Sequence, residues 1–354
     1  MTTHSEQPRD VLVQVYGRTD VGRSREHNED SFLVADLSSG RIALDDLLTE
    51  HRLGGHGTIF MVADGLGGAA SGEIASKMAV DVVLTELRKR WVATDGNDPA
   101  AFAAALKGAT ETANARIHAY AVQHPEHRGM GTTATIAGLL GDTLYVVQIG
   151  DSRAYLLRDG VLQQITKDQS LMQRLVEAGE ITIEEAEQSE RRNIILQALG
   201  PEGAVKIDLT HQPVRRGDAL VLCTDGLSGL IKRDDIARIA TEEPDLCTAC
   251  DVLVDMANEN GGPDNITVVI ARFVGGGLRR ATDEDSVGHT VYSISGLMGT
   301  ATPPRPMLRA RGASASASGT TPRPVPFLAR GNTPYIVAFV ATLLVAIYLL
   351  ITKM

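Results

Sequence analysis

The 354-residue chain has only three cysteines, one tryptophan and 4% aromatic residues in all. Three thiols, Cys223, Cys247 and Cys250, cannot build a disulfide framework, and they fit a reducing compartment. Cys247-Thr-Ala-Cys250 has redox or zinc spacing, yet no second pair and no nearby histidine completes it, so helix packing is the expectation. The opening residues, MTTHSEQPRD, lack an apolar stretch, so no secretory signal is visible and the bulk of the protein is expected in the cytoplasm. Positive charge is also short: 34 Lys and Arg against 44 Asp and Glu leave a formal net charge of -10. With no basic patch in residues 1–275, nucleic acid is excluded as a partner.

Glycine is plentiful, and one glycine-rich stretch poses a question. In MVADGLGGAAS, residues 61–71, an apolar run ends on Asp64 and then on a cluster of glycines. A phosphate-cradling P-loop needs Lys and then Ser or Thr directly after its last glycine, but Ala69 follows Gly68. Gly65, Gly67 and Gly68 are also mis-spaced for a dinucleotide turn. Asp64 itself therefore needs explaining.

Further apolar runs end in Gly, Asn or Asp: VLVQVYG (11–17), TIFMVADG (58–65), TATIAGLLG (133–141), TLYVVQIGD (143–151), RAYLLRDG (153–160), ALVLCTDG (219–226) and NITVVIARF (265–273). These read as strands, with tight antiparallel turns at Gly141-Asp142 and Asp159-Gly160. Helical periodicity covers 73–90, 99–123 and 245–260, and the first two follow one another with little strand between. That departs from regular strand-helix alternation. The expected fold is α+β, with antiparallel sheets and segregated helices. The polar, helix-prone residues 166–200 read as a surface flap between strands.

One compact domain is expected over 10–275, followed by a flexible Pro/Ser/Gly-rich linker over 276–333 with pieces such as GASASASG. An uncharged run, YIVAFVATLLVAIYLLI at 335–351, then predicts a C-terminal transmembrane helix over 334–352. Seventeen helical residues span about 25 Å, close to the hydrocarbon thickness once the flanking residues are added. Arg305, Arg309, Arg311, Arg323 and Arg330 precede the run and only Lys353 follows it. The positive-inside rule predicts a single-pass cell-membrane protein with the linker and the domain in the cytoplasm.

Four more acidic signatures share the position of Asp64 at a strand end. Glu29 and Asp30 precede SFLVAD, Asp151 follows TLYVVQIG, Asp225 follows ALVLCT, and Asp264 precedes NITVVIARF. Strand ends far apart in sequence can converge on one edge of a sandwich, where several anions would repel unless cations neutralised them. Carboxylates, carbonyls and water are the ligands of Mg²⁺ and Mn²⁺, and histidine is absent from these stretches except for His27, which weakens a zinc reading. Two such ions can acidify a water and stabilise an in-line attack on phosphorus, while Arg25 can grip two phosphate oxygens.

Taken together, RSREHNED (23–30), VADGLGG (62–68), GTTATIAGLL (131–140), IGDSRAYLLRDG (149–160), TKDQSL (166–171), QALG (197–200), CTDGL (223–227) and GGPDNITVV (261–269) resemble the bacterial branch of the type 2C metal-dependent protein Ser/Thr phosphatases. The resemblance covers about residues 12–273 and implies a four-layer α/β/β/α sandwich, two stacked antiparallel sheets flanked by helix pairs. It also implies a role for each matching residue. Asp64 bridges two Mn²⁺ or Mg²⁺ ions, the Gly65 carbonyl binds one of them, and Asp225 and Asp264 bind the other. Glu29 and Asp30 hold ion-bound waters, Arg25 binds the substrate phosphate, and Asp151 binds a third, weaker ion. Asn265 and Ser152 support the neighbouring ligands. The implied partners are phosphorylated proteins, Ser/Thr kinases and their substrates.

Two positions depart from the family pattern. Leu66 stands where some members have a histidine proposed as general acid, and Gln169 where the family often has another. A non-catalytic phosphopeptide-binding module would be expected to have lost carboxylates, and none is lost. A small phosphomonoester as substrate remains a rival expectation.

Overall fold

The computed structural model describes residues 10–43, 50–67, 71–94, 96–189 and 191–294. Two antiparallel six-stranded sheets dominate. One runs β11 (Val161–Gln164), β10 (Arg153–Arg158), β13 (Ala219–Cys223), β14 (Ile266–Val274), β1 (Leu12–Asp20) and β4 (Glu50–Arg52). The other runs β12 (Asp208–Pro213), β9 (Thr143–Ile149), β8 (Ala134–Leu140), β5 (Thr58–Ala63), β2 (Ser31–Asp36) and β3 (Ile42–Ala43). A two-stranded ladder, β6 (Gly65–Leu66) with β7 (Gly131–Thr132), extends from the end of β5.

The unbroken apolar runs follow from burial on both faces. In β5, Phe60 and Val62 point between the sheets, while Ile59, Met61 and Ala63 point at a helical layer. In β13, Leu220 and Leu222 face the inter-sheet core, and Ala219, Val221 and Cys223 face the opposite helical layer. The strand period of two thus serves two cores at once, and no polar face is needed. Helices α1 (Ser71–Leu87) and α2 (Pro99–Gln123) cover the β5 sheet; α6 (Arg233–Glu242) and α7 (Leu246–Glu259) cover the β13 sheet. This is the expected α/β/β/α order.

Local signals set the helix ends. Asp98 caps α2 by accepting from Ala100 N and Ala101 N, with Pro99 in the first turn, and Asp245 caps α7 by accepting from Thr248 N. Cys250 packs into the helical core of α7 as a free thiol, and Cys247 is also free. The flap carries two short helices, α3 (Leu171–Glu177) and α4 (Ile183–Glu187), and leaves Ile183, Ile194 and Leu196 exposed. It is pinned at its base where Leu171 N donates to Ile194 O and Leu196 N to Gln169 O. A single turn, α5 (Asp225–Ser228), follows β13.

Two features differ from the sequence expectation. β12 and α6 had no counterpart in it, because DLTHQP mixes polar residues on an edge strand and RDDIARIATE offers a narrow apolar stripe. The composition break at 276 also precedes the end of the packed structure. Leu278 sits in the inter-sheet core, Arg279 and Asp285 are tied to the domain, and His211 N donates to Thr290 O while Tyr292 N donates to Leu209 O. Residues 277–294 therefore form a strap along β12, held by side chains that average composition does not weigh. The expected linker beyond 294 and the expected transmembrane helix lie outside the described residues. Among the described residues no helix is long and apolar enough to cross a membrane.

Candidate active site

Strand register brings the acidic residues to one place. In the β5 sheet, Ser31 pairs with Ala63 and Ala134 with Ile149, so Asp30, Asp64 and Asp151 emerge at the same end. In the β13 sheet, Arg153 pairs with Cys223, Cys223 with Val268, and Asp20 with Ile266, so Asp225 and Asp264 emerge together. Hydrogen bonds then join the two ends. Asp30 Oδ2 accepts from Thr224 Oγ1 (2.8 Å) and Thr267 Oγ1 (2.6 Å) across the sandwich, and Glu29 N donates to Asn265 Oδ1 (2.8 Å).

The electrostatics of this rim are those of crowded, desolvated acids. Burial, relieved in part by the two threonine hydroxyls, pushes Asp30 up to about 7. Asp151 is pushed up to about 8 by burial and by Asp225 and Asp168. Asp64 is held well above the carboxylate range by burial and by the charges of Asp30, Asp225, Asp151 and Asp264. Asp225 is raised by burial and by Asp264. Glu29 is raised by burial, against the pull of Arg25. Asp30 Oδ1 and Asp225 Oδ1 are buried and make no hydrogen bond.

A buried oxygen with no donor, in a group of acids that shift one another upward, suits a cation. The donor set is all oxygen, which suits a hard divalent ion. Among the described residues no three His, Cys, Asp or Glu side chains form a closed ligand cage, so the aspartates are close enough to perturb one another but stop short of one.

The remaining expected residues join the same rim. Arg25, half exposed, places Nη2 2.8 Å from Asp264 Oδ2. Asn265 receives an Asx-type geometry around Asp264, its N donating to Asp264 Oδ1 and its side-chain amide to Val21 O and His27 O. Ser152 Oγ lies 2.8 Å from Thr133 Oγ1, and Ser152 O accepts from Thr135 Oγ1 and Gln148 Nε2. Gly65 is required by close approach: a Cβ there would stand 2.3 Å from Gly72 O and 2.6 Å from Glu29 O.

A protein phosphatase 2C family model matches residues 35–263, which takes in every strand end of the rim except that before β2 and that before β14. The chain belongs to the protein phosphatase 2C family. Serine/threonine phosphatase stp of Listeria monocytogenes is 34% identical over 253 residues, 72% of this chain and 93% of that protein. Serine/threonine protein phosphatase PstP of Mycobacterium tuberculosis is 36% identical over 266 residues, 75% of this chain and 46% of that one. The crystal structure of the PstP catalytic domain in complex with two manganese ions has a TM-score of 0.61 at 35% identity, covering 75% of this chain and 99% of that one. An S. agalactiae serine/threonine phosphatase structure gives 0.64 at 32% identity, covering 73% and 99%. The chain is thus an enzyme, a bacterial-type protein serine/threonine phosphatase.

Against this family background, both departures have a structural account. Leu66 is a strand residue of β6 facing Gly131 in register. Gln169 stitches the base of the flap to the rim: its Oε1 accepts from Gly150 N (3.1 Å), and its Nε2 donates to Asp208 Oδ2 (3.1 Å). An amide supplies donor and acceptor at once, so that tie needs no imidazole.

Sequence reasoning passed over a layer of threonines. Thr132 Oγ1 and Thr133 N both donate to Asp64 O, Thr133 Oγ1 accepts from Asp64 N, and Thr224 and Thr267 hold Asp30. Sequence signal was present for two of them, since Thr224 directly precedes Asp225 and Thr267 follows Asp264 by three residues, but not for Thr132 and Thr133, which meet Asp64 only in the fold. It also missed Asp168, gripped by Arg153 through Nε and Nη2 and near enough to raise Asp151.

Proposed function

We propose that the rim is a divalent-ion site for hydrolysing phosphoserine and phosphothreonine in proteins, with Asp64, the Gly65 carbonyl, Asp225 and Asp264 holding two ions of Mn²⁺ or Mg²⁺. Bound there, such ions supply an acidified water and neutralise the charge that builds on the phosphoryl oxygens. The chain's own residues do the rest. Asp64 and Asp225, both raised by burial and by neighbouring acids, would serve as ligands in their ionised form. Glu29 and Asp30 orient water at the same end, with Thr224 and Thr267 holding Asp30 Oδ2 and leaving its Oδ1 without a donor. Arg25 commits one nitrogen to Asp264 and offers the rest of its fork to the phosphate. Asp151 with Asp168 close by is the place for a third ion.

The observation that carries the reading is the pair of buried, donorless oxygens on Asp30 and Asp225 within a group of mutually raised acids. PstP with its two manganese ions supports the ion number and type. The test is phosphate release from a phosphopeptide by the full chain after chelation and stepwise return of Mn²⁺ or Mg²⁺. Turnover should depend on the ion and vanish in Asp225→Asn; ion-independent turnover would end the proposal.

The proposal extends to cell context. The uncharged run at 335–351 and the arginines before it support a membrane tether with the catalytic domain in the cytoplasm, opposing Ser/Thr kinases. Fractionation of cells should place the full chain in membranes and a chain ending at Gly331 in the soluble fraction; identical soluble behaviour of both removes the tether.

A further inference from the structure

We infer that His127, outside the acid rim, is a positioning residue for Glu29 and acts through the first turn of α1. The inference rests on the ion-site reading above. Glu29 has its backbone fixed twice, by Gly65 N donating to its carbonyl and by its own N donating to Asn265 Oδ1. Its carboxylate lies so close over Gly72 that a Cβ there would stand 2.8 Å from Glu29 Cδ and 2.9 Å from Oε2. Where Gly72 goes, the carboxylate goes.

Gly72 is in turn held by its neighbour. Ser71 is buried, and its Oγ lies 3.0 Å from His127 Nδ1. His127 belongs to the short turn Pro125–His127 after α2 and is itself wedged by an aromatic group: its ring lies 5.7 Å from Tyr120, which stacks on His124 at 4.0 Å. His127 N donates to His124 O, and Met130 N donates to His127 O, so the turn is closed on both sides. A second tie, Ser31 Oγ to Ser76 Oγ at 3.0 Å, holds the next turn of α1 against β2. The Ser71–His127 bond is the tie that reaches the residue next to Gly72. Supporting partners of this kind set the orientation of ion-site carboxylates without touching the ion.

The experiment is a double-mutant cycle on the full chain with two readouts, calorimetric Mn²⁺ titration and steady-state turnover of a phosphopeptide. Glu29→Ala should weaken Mn²⁺ binding and lower kcat. His127→Ala should weaken Mn²⁺ binding and kcat by about 3- to 10-fold each, with KM for the phosphopeptide within about twofold, as expected for an indirect support. Ser71→Ala, which cuts the same bond without opening the aromatic group, should reproduce that loss. His127→Asn, whose amide oxygen can stand near the Nδ1 position, should restore most of it. In the Glu29→Ala background His127→Ala should add nothing. Multiplicative losses in the double variant, or wild-type behaviour of Ser71→Ala, would overturn the inference while leaving the ion site standing. If Glu29→Ala itself left both readouts unchanged, Glu29's role in the site would fail and the inference with it.

Discussion

The two ends of the β13 sheet treat buried aspartates in opposite ways. At the far end, Asp218 receives Arg158 through Nε and Nη2, with both side chains less than a tenth exposed, and Asp285 receives Arg215, Arg279 and Thr282. Those contacts hold Asp285 far below the ordinary carboxylate range. At the rim, Asp30, Asp64, Asp151 and Asp225 lie upward of that range, and Arg25 is the cation in contact, on Asp264. The same residue type in the same fold is satisfied by protein in one place and left for something else in the other. A saturated acid is structure; an unsaturated one is a site.

Substitution should break that symmetry most visibly. Asp225→Asn removes a crowded charge, so turnover should fall by about 1,000-fold or more while the ion-free protein unfolds at an unchanged or higher urea midpoint, since an ion is worth several kcal/mol to the transition state. Asp218→Asn leaves Arg158 buried and half-partnered and should cost about 3–5 kcal/mol of stability, with kcat per folded molecule unchanged. Urea unfolding beside turnover reads both. Equal destabilisation by the two variants would erase the distinction.

The pH dependence sharpens the same contrast. A group whose pKa is raised by folding stabilises the fold below its unfolded value, near 3.8, and that contribution is lost as pH rises through the folded value. With Asp30 at about 7 and Asp151 at about 8, the ion-free protein should lose stability between about pH 4 and pH 8. Asp285 is lowered, so its contribution stays intact across that window. The rise in Tm on adding Mn²⁺ should therefore be larger at pH 8 than at pH 5.5, by about several degrees. A rise independent of pH would mean that the ions do not compete with these protons.

Arg25 stands between the two behaviours, paired yet half exposed. Arg25→Ala should raise KM for a phosphopeptide by about tenfold, the order expected for a charge-assisted bond to substrate. Its effect on the Mn²⁺ titration should be small; a large one would mark it as part of the ion site instead.

Much of this was legible in the chain. Runs such as TIFMVA and ALVLC are continuous because both faces are buried, and a strand-end Asp breaks such a run conspicuously. Asp159-Gly160 turned the β10–β11 hairpin as read, with both residues at positive φ. What escaped were residues whose meaning depends on a partner hundreds of positions away. Thr267 is an unremarkable β-former until Asp30, 237 residues earlier, needs its hydroxyl. The strap escaped for the same reason: Gly, Ser and Thr lower its mean hydropathy, while Leu278, Asp285 and Tyr292 do the holding.

That strap supplies the smallest expected effect. Asp285 gathers Arg215, Arg279 and the Thr282 N–H and hydroxyl, and Arg158 donates to its carbonyl, so one side chain fastens 277–294 to the far end of the sheet. Beyond it, the strap is held along β12: Gln212 Nε2 donates to Ser286 O, Gln212 Oε1 accepts from Gly288 N, and Thr210 pairs with Val291. Asp285→Ala should therefore loosen the strap around 279–285 without unsettling the rim: limited proteolysis should cut near Arg279 and Arg280 about tenfold faster, since local opening sets the rate. Turnover and Mn²⁺ binding should stay within about twofold, because the rim shares no ion pair with Asp285. A matching fall in Mn²⁺ binding would show the two ends to be coupled through the sheet, and the division between saturated and unsaturated acids would no longer be a division between structure and site.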